Sequence, residues 1–310
     1  DRPGRKVHPV YTGDEQHTQK HHDEDQRGAH VARDDDETDG DHRVQNQQQH
    51  VVRRRDRLPD AVEVIGERDD EADFEDLRRL QKQRRRDLQP GARVGAGVRR
   101  AISDGIAARE EIFVTSKVMP GNYNRPDSAI ESSLAALDVG YVDLMLIHQP
   151  GSNDENVYRA LERGVKAGKI RSIGISNYYT PRDFDRIKNI ATIVPAVIQN
   201  ENHLYYQNEN LQAYVKKYGV VVESWYPFGG RGNTQKIFSD ATIQSLAKKY
   251  SKSPAQIILR WHLQAGYVVI PGSSNKNHIA ENFDVFDFRL TDEDMELMRG
   301  LNKNRRFENW

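Results

Sequence analysis

The 310-residue chain is 36% hydrophobic and 30% charged, carries a formal net charge of −1 and contains no cysteine. Disulfides, thiolate metal sites and a cysteine nucleophile are thereby excluded, and the near-neutral balance gives no footprint for nucleic acid. The longest apolar runs, such as Leu144 to Ile147, fall far short of the roughly 20 residues that cross a bilayer, and no apolar signal core follows the opening Asp1-Arg-Pro-Gly, so a cytoplasmic protein with no membrane partner is expected.

Residues 1–95 differ from the rest. Tyr11 and Phe74 are their only aromatics, and they hold seven of the eleven histidines among many Asp, Arg and Gln. Such sequence buries too little apolar surface to offset its chain entropy, so this part is expected to be disordered or translated out of frame. Within it, Pro59 to Gly66 contains a strand-like run. Glu71 to Arg86, acidic first and basic last, suits a helix dipole but has a thin apolar face. The basic triplets at Arg53 and Arg84 lie among acids and lack interleaved aromatics, which argues against nucleic-acid binding. His21-His22 beside acidic residues is a metal cluster only in name, because floppy polar sequence rarely forms a site, and no metal is expected.

Residues 96–310 read as alternating strands and helices, with a helix opening near Gly95 to Ile102. The strands are Ile112–Lys117, Val142–His148, Ile170–Asn177, Pro195–Glu201, Val220–Trp225 and Val268–Ser273. These runs are rich in Val and Ile without strict alternation, which suits strands covered on both faces. Helices are predicted over Pro126–Leu137, Asn156–Ala167, Pro181–Lys188, Glu209–Tyr218, Ala241–Tyr250, Pro254–Gln264, near Ile279–Asn282 and over Asp292–Leu301. Units of about 30 residues match the length of a strand, its crossover helix and the return. An open doubly wound sheet is the rival, but no G-x-G-x-x-G turn follows any of the strands. The predicted fold is therefore a (β/α)8 TIM barrel whose first two strands are not recognisable in this sequence.

In such a barrel the polar residues at the carboxyl ends of the strands meet at one face. Lys117 and His148 close two neighbouring strands. Singly, one reads as a lysine snorkelling to solvent and the other as a satisfied core histidine; together they suggest proton chemistry on an oxygen. Ser176, Asn177 and Gln199 add hydroxyl and amide groups, and Trp225 offers a flat face for stacking. Asn177 also fits a helix cap before Pro181, and Trp225 a core aromatic. The loop Gly229 to Gln235 reads as the most flexible connection, with backbone amides suited to a phosphate.

These residues resemble the aldo-keto reductases. The likeness runs from about Val94 to Leu301 and rests on Glu111-Ile-Phe-Val-Thr-Ser-Lys117, Tyr141-Val-Asp-Leu-Met-Leu-Ile-His-Gln-Pro150, Gly168-Lys-Ile-Arg-Ser-Ile-Gly-Ile-Ser-Asn-Tyr178 and Ile270-Pro-Gly-Ser-Ser-Asn through Asn282. The bacterial small-aldehyde and diketogluconate branch is the most similar. The resemblance implies a monomeric, nicotinamide-dependent reductase of aldehydes or ketones, using NADP or else NAD. In it a tyrosine protonates the carbonyl oxygen, Lys117 lowers that tyrosine's pKa and His148 orients or polarises the carbonyl. It further implies that Ser176, Asn177 and Gln199 hold the carboxamide and that Trp225 stacks on the nicotinamide. Phe228 to Gly232, Phe228 and Gly230 in particular, would lie by the pyrophosphate, and Ser273, Ser274, Asn275, His278, Glu281 and Asn282 around the adenosine. Phe307 and Trp310 are candidates for an apolar substrate wall, or equally for aromatics packed on the barrel.

The sequence departs from the family in three places. The family's Asp-Thr-Ala strand and its tyrosine followed by Asn-Glu are missing before Val94. Gly272 stands where a lysine often follows Ile-Pro, and His278 where an arginine often meets the 2′-phosphate. A one-base shift over Asp87 to Gly91 permits a Thr-Tyr-Asn-x-Glu motif but does not restore Asp-Thr-Ala. The alternative reading is a catalytically inactive cofactor-binding barrel, or a damaged enzyme lacking its proton donor.

Overall fold

The computed structural model describes residues 17–18, 51–54 and 90–308. The expected strand at Pro59–Gly66, the charged helix at Glu71–Arg86 and Trp310 lie outside the described residues, as does most of the segment before residue 95 for which disorder was expected.

One sheet of eight strands runs in chain order. The strands are β1 (His17–Thr18), β2 (Val51–Arg54), β3 (Ile112–Val118), β4 (Val142–Ile147), β5 (Ile170–Ser176), β6 (Val197–Glu201), β7 (Val221–Trp225) and β8 (Val268–Val269). From β3 to β8 every neighbouring pair is parallel, whereas β1 and β2 join the β3 edge antiparallel. The helices are α1 (Pro90–Ser103), α2 (Pro126–Leu137), α3 (Asp154–Lys166), α4 (Pro181–Lys188), α5 (Glu209–Lys216), α6 (Thr234–Phe238), α7 (Ala241–Tyr250), α8 (Pro254–Gln264), α9 (Lys276–Phe283) and α10 (Asp292–Arg299). A helix follows each of β3 to β8 in the chain, as parallel pairing requires, and the architecture is that of a (β/α)8 barrel.

Helix starts follow local chemistry. Proline occupies the first turn of α2, α4 and α8, where its missing N–H costs nothing. Thr180 caps α4, and Ser253 and Thr291 open α8 and α10 with reciprocal side-chain and backbone bonds. The same tolerance lets α1 begin at Pro90, earlier than the predicted Gly95. Gly95 instead serves close packing, because a Cβ there would lie 1.8 Å from the Leu137 carbonyl oxygen. Arg99 Nη1 donates to that same oxygen at 2.7 Å, closing the end of α2.

Two apolar layers form around the strands. The larger packs the outer strand faces against the helices. The smaller, Leu144, Leu146 and Val197 with Phe113 and Val221, fills the lumen. Register sets Leu146, Gly174, Val197 and Val221 in one line across the sheet. Two residues nearer the carboxyl ends, and so on the same face, Ser176, Gln199 and Glu223 form the next line. The lumen thus changes from apolar to polar within one layer. Gly174 makes the crowded layer fit, since a Cβ would meet the Val197 carbonyl oxygen at 2.2 Å and Leu146 Cδ2 at 2.8 Å.

The opposite rim is tied by charge. Asp143, at the start of β4, accepts from Val114 N at 2.9 Å and from Arg109 at 2.9 Å, and pairs with Arg171 at 3.4 Å. Both guanidiniums also lie over the Tyr141 ring, 3.9 and 4.0 Å from its centre.

Two expectations need correction. The last strand, read as reaching Ser273, is only Val268–Val269. Ile270 N still donates to Ser224 O, but Pro271 has no N–H with which to continue the ladder. The glycine loop after β7 is not loose either, because Gly229 N and Asn233 N close turns onto Tyr226 O and Gly230 O, and residues from Thr234 form α6.

Candidate active site

Lys117 and His148 occupy the carboxyl ends of adjacent parallel strands, with His148 N donating to Val118 O at 3.1 Å. Lys117 Nζ donates to Ser176 Oγ at 3.2 Å. Burial pulls the Lys117 ammonium down to about 7, a fall that the Glu223 carboxylate opposes. Burial also lowers the His148 imidazole to about 3, and the Lys117 charge lowers it further. The adjacent strand ends bring the two groups to the same end of the sheet. At neutral pH His148 is an uncharged donor and acceptor, while Lys117 exchanges its proton readily.

The next strands add amides. Asn177, just past β5, adopts the left-handed conformation with φ of 64°, a region that asparagine tolerates better than most residues. Its Nδ2 donates to His148 O at 2.9 Å. Its Oδ1 accepts from Tyr179 Oη at 2.9 Å and from Trp225 Nε1 at 3.2 Å. One buried amide therefore joins the His148 backbone to the Trp225 ring. Gln199 Nε2 donates to Glu223 Oε1 through a short bond, which leaves Gln199 Oε1 to accept. Glu223 is 3% exposed; burial pushes its carboxyl up to about 6, against the pull of the Gln199 donor and the Lys117 charge.

Beyond Trp225 the chain folds back. Tyr226 takes φ of 55°, and its ring fills the space a Cβ on Gly230 would need, 2.3 Å from Cδ2. Phe228 is buried with its ring edge-on to Phe238 at 5.1 Å. Phe307 stacks on His203 at 4.5 Å instead of standing as a free wall. Its N–H and that of Glu308 donate to the buried Glu201 carboxylate at 2.5 and 3.1 Å.

A second polar group stands at the start of α9. Asn275 caps that helix by accepting from Asn277 N at 2.9 Å, and its own N–H donates to Ser273 Oγ at 3.0 Å. Asn275 Nδ2 lies 3.3 Å from His278 Nε2. Glu281 presents its backbone carbonyl to Gln256. Asn282 is 2% exposed, and its Nδ2 has no hydrogen-bond partner among the described residues. A buried donor left unpaired costs on the order of 1–3 kcal/mol and fits a ligand acceptor such as a purine nitrogen.

The structure thus links Lys117, His148, Ser176, Asn177, Gln199 and Trp225 in one mouth, and Ser273, Asn275 and His278 in a neighbouring cluster after β8. Sequence reading missed Glu223, Tyr179 and Tyr226. Only Glu223 left a signal: in Val221-Val-Glu-Ser-Trp225 it alternates onto the face of Trp225.

Residues 96–303 match the family described as the aldo/keto reductase family. The chain belongs to the aldo-keto reductases. Its reaction class is the NAD(P)H-dependent reduction of a carbonyl compound. Among curated relatives of this aldo-keto reductase, the NAD(P)H-dependent D-xylose reductase I,II of Candida tropicalis is 37% identical over 254 residues, covering 69% of this chain and 78% of that protein. The glyoxal reductase of Bacillus subtilis is 40% identical over 213 residues, covering 68% and 75%. Among solved structures, the Bombyx mori aldo-keto reductase in complex with NADP superposes with a TM-score of 0.67 at 32% identity, covering 71% of this chain and 78% of that one. No helix among the described residues is long and apolar enough to cross a membrane.

Proposed function

We propose that this aldo-keto reductase reduces small aldehydes or ketones, with NADP preferred over NAD, at the mouth where Lys117 and His148 face each other. The observation that carries the reading is the placement of Lys117 and His148 at the carboxyl ends of the adjacent parallel strands β3 and β4, next to Ser176 and Asn177. The nicotinamide cofactor, when bound, supplies the hydride to the carbonyl carbon. In this reading Gln199 Oε1 and the second amide hydrogen of Asn177 orient the carboxamide with Ser176 beside them, and Trp225 stacks on the ring; the support is the hydrogen bonds that fix the Gln199 and Asn177 amides and the Trp225 ring. His148, uncharged at neutral pH, donates a hydrogen bond to the substrate oxygen. Lys117, while protonated, stabilises the negative charge that develops there.

The adenosine end falls to Ser273, Ser274, Asn275, His278, Glu281 and Asn282, with the buried Asn282 amide as the best-fitting donor. Lys276 is the cation assigned to a 2′-phosphate, with the His278 ring beside it, and the backbone around Phe228 and Gly230 is assigned to the pyrophosphate. We take the working form to be a cytoplasmic monomer, in keeping with the resemblance.

Quenching of tryptophan fluorescence by NADPH and NADH measures binding, and loss of reduced-nicotinamide absorbance with glyoxal or xylose measures turnover. Replacing Lys117 by Met is expected to cut turnover by about 10²–10⁴-fold; an unaffected variant would contradict the reading. The sequence lacks the family's Asp-Thr-Ala and tyrosine motifs, which favours a second reading as a cofactor-binding barrel without chemistry. Binding without turnover selects it.

A further inference from the structure

We propose that Glu223 is a positioning residue of this mouth: its carboxylate holds Gln199 in place and acts as the internal counter-charge of the Lys117 ammonium across the lumen. The proposal rests on the reductase reading and adds to it a residue on the far side of the barrel.

Geometry supports it first. Ser176, Gln199 and Glu223 are register partners on consecutive strands, so their side chains stand in one row above the apolar layer of Leu146 and Val197. Hydrogen bonds run along both ends of the row: Lys117 donates to Ser176 at 3.2 Å, and Gln199 donates to Glu223. A carboxylate at 3% exposure is costly unless something compensates it. The Gln199 amide is one compensation, and the Lys117 charge is the other.

Among the described residues Lys117 has no charged contact partner: its hydrogen bond goes to the neutral Ser176 hydroxyl, and no carboxylate lies within ion-pair distance of it. The groups that face it from packed elements are His148 after β4, Ser176 on β5 and, across the lumen, Glu223 on β7. His148 is uncharged and its environment already disfavours a proton. Glu223 alone of these favours the protonated lysine. Through Gln199 the same carboxylate fixes the amide proposed to orient the carboxamide, so charge on Lys117 and orientation of that amide are coupled.

The test uses the full chain and reads Lys117 directly. The lysine ε-carbon resonance, followed by 13C NMR across pH and assigned by its loss in Lys117→Met, reports the protonation midpoint without turnover. In Glu223→Gln the midpoint is expected to fall by about one pH unit, and in Glu223→Asp by less, as loss or withdrawal of an opposite charge dictates. The alkaline limb of the kcat profile should move by the same amount while KM for the carbonyl changes little. Glu223→Asp carries the test alone if Glu223→Gln does not fold. An unmoved midpoint in whichever variant folds overturns the proposal. A moved midpoint without turnover supports Glu223 and counts against the reductase reading; turnover with an unmoved midpoint leaves that reading standing and removes Glu223.

Discussion

Replacing Gly174 by Ala should disturb both stability and catalysis, because the crowded layer beneath the mouth also sets the position of the mouth. The added Cβ would lie 2.2 Å from Val197 O, 3.1 Å from Val197 C and 2.8 Å from Leu146 Cδ2. The leucine methyl can rotate aside, but the Val197 carbonyl is backbone within the β5–β6 ladder. Relief to an ordinary approach requires β6 to shift by roughly 1.2 Å in a close-packed interior. Overpacking of this kind costs on the order of 2–3 kcal/mol, or roughly 5–10 °C in Tm for a domain of this size. Ser176 and Gln199 sit two residues further along the same two strands, so a displacement near 1 Å should also cost about 10²-fold in kcat/KM. Calorimetry and steady-state kinetics on one preparation test both parts. Gly97 supplies the contrast, since a Cβ there meets nothing within 4 Å on the exposed side of α1; Gly97→Ala should raise stability by about 0.5–1 kcal/mol. If Gly174→Ala melts within 2 °C of the parent at full activity, the packing argument is wrong.

Asp154 accepts from Tyr178 Oη at 2.6 Å and from both Arg186 terminal nitrogens at 2.7 and 2.5 Å while only 1% exposed. Asp154→Asn should cost about 2 kcal/mol in urea unfolding, discounted because Arg186 is partly exposed; a loss below 0.5 kcal/mol would be inconsistent. Burial lowers the His262 imidazole to about 4, although the Ile258 and Asn202 carbonyl oxygens, 2.8 and 3.2 Å from its two ring nitrogens, favour the proton. The unfolded chain therefore binds a proton that the folded chain refuses, so this contribution is whole above about pH 6.5 and lost as pH falls toward 4. His262→Gln should flatten the stability slope between pH 6 and 4.5 by about 1.4 kcal/mol per unit, and parallel slopes would remove His262 as the cause. Glu201→Gln weakens the acceptor for the Phe307 and Glu308 amides, so those two amides should exchange with solvent faster by at least tenfold while β4 amides keep their protection. Equal protection in both proteins would show that the tail is held elsewhere.

The strands were legible because burial on both faces leaves unbroken Val and Ile runs such as Val142–Ile147, and helix starts were legible where Pro181 and Pro254 mark a first turn. α4, α7 and α8 span the residues expected of them. The placement of Lys117, His148, Gln199 and Trp225 at one end follows from strand polarity, which a sequence displays through the order of its elements. Long-range closure was not legible. The Glu201 contact with Phe307 joins residues 106 apart, and no local pattern foretells it. Tyr226 folding over Gly230 is a local feature that was missed for another reason: the glycines suggested looseness, whereas φ of 55° and 72° at those two residues lock the turn. Glu223 was hidden differently, as a single acid inside an apolar strand, where the eye follows the valines.

The guanidinium clasp on Tyr141 and Asp143 has a practical consequence for anyone reshaping this enzyme. It fastens β3, β4 and β5 at the rim farthest from the reacting groups, so the foundation does not share atoms with the vestibule. Loops beyond Trp225 and Pro271, assigned above to the cofactor, can be exchanged to retune cofactor preference without loosening that anchorage, whereas even a conservative Arg109→Lys change, which forfeits the planar fork, should erode heat tolerance and leave that preference alone.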